Sequence, residues 1–437
     1  MNRRRPGVGS GVAIGSADAL SVERARRDEI LDTASQLFAS SGLRTSLLEI
    51  ADACGIQPGS LYHHFESKEA IVVELVERYH GELDRIAETA LEELKRSDPR
   101  LVLERIASLG TAIALCAVRH SAAVQFTFYE PPVGASHELV RLTSRAPTTI
   151  EAAMVETLRV GKSSGSIRSG IDLRTLADRI CQTMLHVGLG LFHRYPSVDR
   201  VARRLCQILL YGVATGSPKD ARLDRSHALR AVERVMKAWN EGDATGDDDR
   251  AALIRAAARS EFGRRGYEVT TIRDIASAAG LSVGTVYRAI GSKEELLASI
   301  MRSFGGKVRA GWNAALGSKS TTVEKLDAVA WLQINVLDRF HDEFKIQLAW
   351  LRQSPPDTPY LEWSFPAVLR QLKSLLGDGA RSGEIRIESP ASELTARCIT
   401  ELTWIPEKIV RSAGKRAALT LARDTLLRGI ARRSPTS

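Results

Sequence analysis

Apolar side chains recur at three- and four-residue intervals along most of the chain, the spacing of one face of an α-helix. Residues 69–215 show no alternation of apolar with polar residues of the kind a half-buried strand would have. Ile30, Leu31, Ala34, Leu37 and Phe38 form one stripe and predict a helix over residues 25–39. Ile254, Ala257, Ala258 and Phe262 form another and predict a helix over 249–263. Each stripe is followed by the same punctuation. Ser46-x-x-Glu49 and Thr271-x-x-Asp274 read as helix starts. There a hydroxyl caps free amides, and an acid three residues on sits near the positive end of the helix dipole. Leu47, Ile50 and Ala51 then share one face. Gly55 and Gly280 stand where a tight interhelical turn wants a residue that tolerates positive φ. A second short helix follows, over 57–65 and 282–290. In the first copy Leu61 and Phe65 point inward, while Gln57, Ser60, Tyr62, His63 and His64 can point outward.

These parallels are one repeat. Residues 45–71 align without a gap on residues 270–296, and ten of the 27 pairs are identical. The identical pairs include Ile50/Ile275, Gly55/Gly280, Gly59/Gly284, Tyr62/Tyr287 and Lys68/Lys293. A period this long is the first thing to settle about a fold. It extends further, because the segment from Gly165 (GSIRSGIDLRTLADRI) is echoed from Gly383 (GEIRIESPASELTARCI).

The unit so repeated is a helix-turn-helix, in which the second helix enters the major groove and its N-terminal residues meet base edges. The threonine-led helix, Ile-Ala, the Ala-x-Gly turn, Gly-x-x-Tyr and Ser-Lys-Glu together resemble the TetR/AcrR family of bacterial transcriptional repressors. The match is specific over about 45 residues in each copy. The resemblance implies that Thr45, Gln57, Ser60, Tyr62, His63 and Lys68 touch DNA. In the second copy it implies the same of Thr270, Ser282, Thr285, Tyr287, Arg288 and Lys293. Lys68 and Lys293, at helix N-termini, suit phosphates by charge and by free amides. The second copy departs from the family where Ala289-Ile290 replaces His64-Phe65, which implies a folded motif with a different base preference. The first copy is one residue shorter between its first two helices, which implies a slight tilt.

The expected fold is therefore all-α: two tandem modules, each a three-helix DNA-binding unit with a larger helical ligand-binding and dimerisation body. The boundaries read as a disordered basic arm over 1–20, carrying Arg3-Arg4-Arg5, then a first DNA-binding domain over 21–71 and a first helical body over 72–215. A linker follows over 216–248, then a second DNA-binding domain over 249–296 and a second body over 297–432. Within the linker, Leu223, Leu229, Val232, Met236 and Trp239 mark an amphipathic helix packed on a module, and residues 241–249 form an acidic, glycine-containing joint. Pro99, Pro131-Pro132, Pro147 and Pro196 interrupt the first body. Helices over 172–194 and 198–213, and over 391–411 and 414–430, resemble the family's dimerisation helices, with a kink at Pro406.

Charge sharpens the picture. The 61 basic and 52 acidic residues leave a net +9, which permits nucleic-acid binding without establishing it. Residues 21–71 hold five Lys/Arg against eight Asp/Glu, whereas residues 250–300 hold eight against five. The second head is thus expected to gain more from phosphates and to lose more with added salt. The five cysteines have neither metal-ligand spacing nor a disulfide rhythm, which fits a reduced, cytoplasmic chain. No apolar run long enough to span a bilayer and no signal peptide is read.

No phosphate-binding glycine loop, nucleophile elbow or paired metal ligands appear, so no enzyme, cofactor or metal is expected. The expected partners are a double-stranded DNA operator and a small-molecule effector. The chain either acts as a pseudo-dimer within itself or forms a homodimer. The implied activity is repression relieved by a small hydrophobic or acyl-CoA-like effector. An interaction protein with one inactive head is the alternative. Aromatic and methionine candidates for a ligand box are Phe126, Phe128, Tyr129, Met154, Met184, His186 and Phe192 in the first body. In the second they are Trp331, Phe340, Phe344, Trp350, Tyr360, Trp363 and Trp404, and at helical spacing such residues are more often core.

Overall fold

A computed structural model describes residues 13–41, 45–127, 131, 134–189, 197–241, 249–352, 365–388 and 391–432. Among these the fold is all-α, in two tandem modules. The first head comprises α1 (Ala13–Ser41), α2 (Leu47–Ala53) and α3 (Pro58–His64). Its body comprises α4 (Lys68–Arg96), α5 (Val102–Arg119), α6 (Ser121–Phe126), α7 (His137–Thr143), α8 (Thr148–Ser163), α9 (Leu173–His186) and α10 (Val198–Tyr211). The connection carries α11 (Asp220–Leu223) and α12 (His227–Glu241). The second head is α13 (Asp249–Arg265), α14 (Ile272–Ala278) and α15 (Val283–Ile290). Its body is α16 (Lys293–Leu316), α17 (Thr322–Arg339), α18 (His341–Arg352), α19 (Phe365–Arg381), α20 (Glu393–Thr403), α21 (Glu407–Ala413) and α22 (Lys415–Ala422). A π-helical turn, Arg423–Arg428, ends it.

The two bodies are built alike. In the first, α5 is the central helix, packed by α4, α8, α9 and α10; in the second, α17 is packed by α16, α18, α19 and α22. Pro99–Arg119 is long and apolar enough to cross a membrane, with mean hydropathy 1.8, contrary to the expectation that no such run exists. The reason is its place, because a helix surrounded by four others needs apolar side chains on several faces.

Three expectations change in detail. The first helix starts at Ala13, so residues 13–20 are helical rather than part of a disordered arm; residues 1–12, with Arg3–Arg5, lie outside the described set. At Pro406 the chain breaks rather than kinks: α20 ends at Thr403, and Pro406 caps α21, accepting from the Val410 amide (3.2 Å). Proline has no N–H to continue α20, and it disfavours helical geometry in the residue before it. His186 is a bridging residue rather than a core one, 3.1 Å from the buried Glu401 of the other module. The acidic joint at 242–248 and the candidates Phe128, Tyr129, Phe192, Tyr360 and Trp363, with the side chain of Trp350, lie outside the described residues.

The other aromatic and methionine candidates are structural. Met154 and Met184 are fully buried, Phe126 meets Phe38 edge-on at 5.5 Å, and Phe344 stacks on Trp404 at 4.2 Å. The amphipathic α12 packs on α16 and α17, burying Leu229 and Val232 and setting Trp239 against Phe340 at 5.1 Å. The α11 turn ahead of it is tied to α17 by charge: Arg423, nearly buried, donates to Asp327 (2.8 and 3.0 Å), Asp224 (2.8 Å) and Asp220 (3.2 Å).

The modules meet through a reciprocal clasp. Val213 N–H donates to the Leu426 carbonyl (2.8 Å), and Ile430 N–H donates to the Leu209 carbonyl (3.1 Å). Ala214 donates to Leu427 (2.9 Å) and Ala431 to Leu210 (2.8 Å). Thr215 donates to Glu384 (3.0 Å) and Arg432 to Ser166 (2.7 Å). Arg386 donates to Val213 (2.7 Å) and Arg168 to Ile430 (2.9 Å). In each couple, a residue of one module does to the other what its repeat-mate does in return. The sequence echo at 165–180 and 383–399 therefore marks the two receiving loops, and Ile167 and Ile385 form the two isolated bridges, to Ala431 and Ala214.

Candidate nucleic-acid interface

Both heads are assembled by short-range chemistry. Ser46 and Thr271 cap α2 and α14 in complete capping boxes with Glu49 and Asp274. Hydrogen bonds from the Ser46 backbone and hydroxyl hold the Glu49 carboxyl below its usual range. Burial works against ionisation of Asp274, yet Thr271 and Arg265 outweigh it and lower the group. Gly55 and Gly280 take φ of 64° and 66°, and the turn closes identically in both copies, through Ile56 N–H to Ala51 (3.0 Å) and Leu281 N–H to Ala276 (2.9 Å). Leu61 and Phe65 anchor α3 in the core, and Val286 does so for α15, with Ile290 half-buried in place of Phe65.

The outward faces carry most of the expected contacts. Ser60, Tyr62 and His63 on α3 and Gln57 at its N-cap are exposed, as are Tyr287 and Arg288 on α15 and Ser282 at its N-cap. Tyr62 and Tyr287 are 56% and 51% exposed, large side chains left open among the described residues. Thr285 is half-buried, its hydroxyl 2.8 Å from that of Ser282. Arg288 bends back to the Gly284 carbonyl (3.2 Å), using one of its five donors. Lys68 and Lys293 are half-buried at the starts of α4 and α16, and the Lys293 ammonium lies 4.2 Å above the Tyr267 ring.

Two expected contacts are corrected. Thr45 and Thr270 are 2% and 1% exposed. Their hydroxyls turn inward, Thr45 to the Leu37 carbonyl (3.4 Å) and Thr270 to the Gly266 carbonyl (2.7 Å), so the side chains fix the turn instead of facing DNA. The two heads also differ in an exposed residue outside the expected contacts: Arg273 on α14 stands where the first head exposes Leu48. The signal of this difference was the repeat alignment itself, which places a cation against a leucine at equivalent positions.

Away from the heads, a groove of about 320 Å³ opens between α4 and α5, with Ile86, Ala90, Leu109 and Ala112 on its walls and Arg85 and Arg105 beside them. At one end Glu82, Cys116 and His120 bring potential ligand atoms within 4.8 Å of one another. Glu82 already accepts from Arg119 and lies 2.8 Å from the His120 ring nitrogen, so its carboxylate serves as a strut between α4 and the end of α5, while burial keeps the Cys116 thiol protonated.

The comparisons fit this geometry. The signature described as "Bacterial regulatory proteins, tetR family" matches residues 30–75 and again 254–300. The HTH-type transcriptional repressor KstR2 of Rhodococcus jostii is 35% identical over 205 residues, covering 46% of this chain and 96% of that protein. KstR2 of Mycobacterium tuberculosis is 26% identical over 179 residues, covering 40% of this chain and 88% of the relative. A solved structure titled as the ketosteroid transcriptional regulator KstR2 of Mycobacterium tuberculosis covers 42% of this chain and 92% of its own, at 28% identity and a TM-score of 0.36.

Proposed function

The chain belongs to the tetR family of bacterial regulatory proteins, and on that premise we propose that it is a transcriptional repressor with two working DNA-reading heads in one polypeptide. The observation that carries this reading is the pair of exposed, unequal faces on α3 and α15, each set on a capped and buried scaffold. Gln57, Ser60, Tyr62 and His63 address one stretch of major groove, and Ser282, Thr285, Tyr287 and Arg288 another. Lys68 and Lys293 hold the flanking phosphates. Thr45 and Thr270 serve by positioning the turn, since both residues are buried.

Repression is relieved by a small hydrophobic or acyl-CoA-like molecule. The groove between α4 and α5 supports a hydrophobic molecule by its apolar walls, Ile86, Ala90, Leu109 and Ala112, while Arg85 and Arg105 are balanced there by Glu82 and Glu93, Arg105 pairing with Glu93 at 2.6 Å. Such a ligand acts only by fitting one arrangement of the body better than the other. The protein works in the cytoplasm, where its operator lies. Footprinting the purified chain on DNA upstream of its own gene, with and without long-chain acyl-CoA, tests the reading. It predicts a protected segment that fades as acyl-CoA is added. Protection that acyl-CoA leaves untouched removes the effector assignment and keeps the DNA one.

A further inference from the structure

We infer that a single chain is the complete DNA-binding unit, and that it reads a non-palindromic duplex with two different half-sites. The inference rests on the DNA-binding reading above and specifies its substrate.

The first support is closure. A two-fold interface uses the same patch on both partners, so each contact occurs twice with the roles exchanged. The clasp has this form within one chain. Val213, Ala214 and Thr215 do to the second module what Ile430, Ala431 and Arg432 do to the first, and Arg386 answers Arg168. Gly212 and Gly429 lie face to face at the centre, and the leucines behind them, Leu209, Leu210, Leu426 and Leu427, are buried. A second chain could use this surface only by displacing the eight main-chain hydrogen bonds set out above. The patch that would make a homodimer is occupied by the chain itself.

The second support is inequality. A pair of identical heads related by two-fold symmetry calls for a palindrome. These heads share Gly59/Gly284 and Tyr62/Tyr287 but differ at the groove-facing positions Gln57/Ser282, Ser60/Thr285 and His63/Arg288, and at Leu48/Arg273 on the preceding helix. Arg288 matches the paired acceptors on guanine, O6 and N7, in the major groove. His63, with two ring nitrogens, does not offer that fork. The half-site under α15 is therefore the guanine-containing one. Net charge follows the same division, the second head being basic and the first acidic.

The test is selection of binding sequences from random duplex DNA by the full-length chain, followed by the mass of the complex on the selected duplex. The result expected is a motif whose halves are not related by two-fold symmetry, with one chain per duplex. Reselecting with R288A then blurs one half only, weakening it roughly tenfold, and H63A blurs the other. A palindrome carrying two chains overturns the inference and leaves DNA binding intact. Failure to enrich any sequence overturns the DNA-binding reading, and this inference with it. As a measurement free of DNA, the mass of the chain in solution must be that of one copy, and a stable dimer contradicts closure.

Discussion

Gly212 and Gly429 meet backbone to backbone at the junction of the two modules, with φ of 67° and 76°. A β-carbon on either would collide with main-chain atoms of the other's segment, and both occupy a region of backbone space that L-residues avoid. The pair lets α10 and the π-helical turn end against each other closely enough for the clasp bonds to form.

Replacing either glycine by alanine is expected to destabilise the chain by at least about 2 kcal/mol, from backbone strain and overpacking together. Thermal denaturation monitored by circular dichroism reads this directly. A wild-type melting curve for both G212A and G429A contradicts the described contact.

The charge cluster that joins the connection to the second body gives an ordering. Arg423 is 3% exposed, and Asp327 is fully buried. Burial works against the Arg423 charge, but its bonds to Asp327 and Asp224 outweigh it and keep the guanidinium protonated. D327A leaves that cation with only the half-exposed Asp220 and Asp224, and is expected to cost about 3 kcal/mol. The double variant D327L/R423M removes both buried charges and is expected to cost less than D327A alone. Chemical denaturation of the two variants checks the order.

A contact between modules sets a pH dependence. Arg204 of α10 reaches Glu388 and Thr395 of the second module. Burial raises the Glu388 carboxyl, but hydrogen bonds from Ser392, Thr395 and Arg204 outweigh it and bring it to about 2, from 4.5. A carboxyl depressed by folding adds stability above its unfolded value and loses it as pH falls toward its folded one. The stability difference between wild type and E388Q is therefore expected to be largest at neutral pH and to shrink between pH 4.5 and about 2. Denaturation midpoints across that range measure it, and a constant difference is the contrary result.

The heads separate positioning from contact. T270V removes a buried hydroxyl that donates to the Gly266 carbonyl, so a loss of about 1 kcal/mol in stability is expected, with the salt dependence of DNA binding unchanged. K68A and K293A, at the positions proposed to meet phosphates, are each expected to reduce the salt slope of log affinity by about 1. Binding isotherms at several salt concentrations distinguish the two classes.

What the sequence made legible was local. The capping boxes at Ser46 and Thr271, the turns at Gly55 and Gly280 and the inward Leu61 and Phe65 each depend on neighbours within a few positions, and all are found as read. The burial of Thr45 and Thr270 was not legible, because each hydroxyl turns toward the preceding helix, Thr45 to the Leu37 carbonyl eight residues back and Thr270 to the Glu261 carbonyl nine back (3.3 Å) besides the nearer Gly266. The clasp was half visible. Its receiving loops appear as an echo between Gly165 and Gly383, but the segments they receive, Val213–Thr215 and Ile430–Arg432, carry no periodic pattern. Pairing across more than two hundred residues leaves no local signal, and neither does the way His186 finds Glu401.

Both heads are put to the test by the affinity of wild type, H63A, R288A and the double variant for one selected duplex, by fluorescence anisotropy. If both heads read DNA, each single variant weakens binding and the double variant weakens it further. Wild-type affinity for either single variant would show that its head is idle.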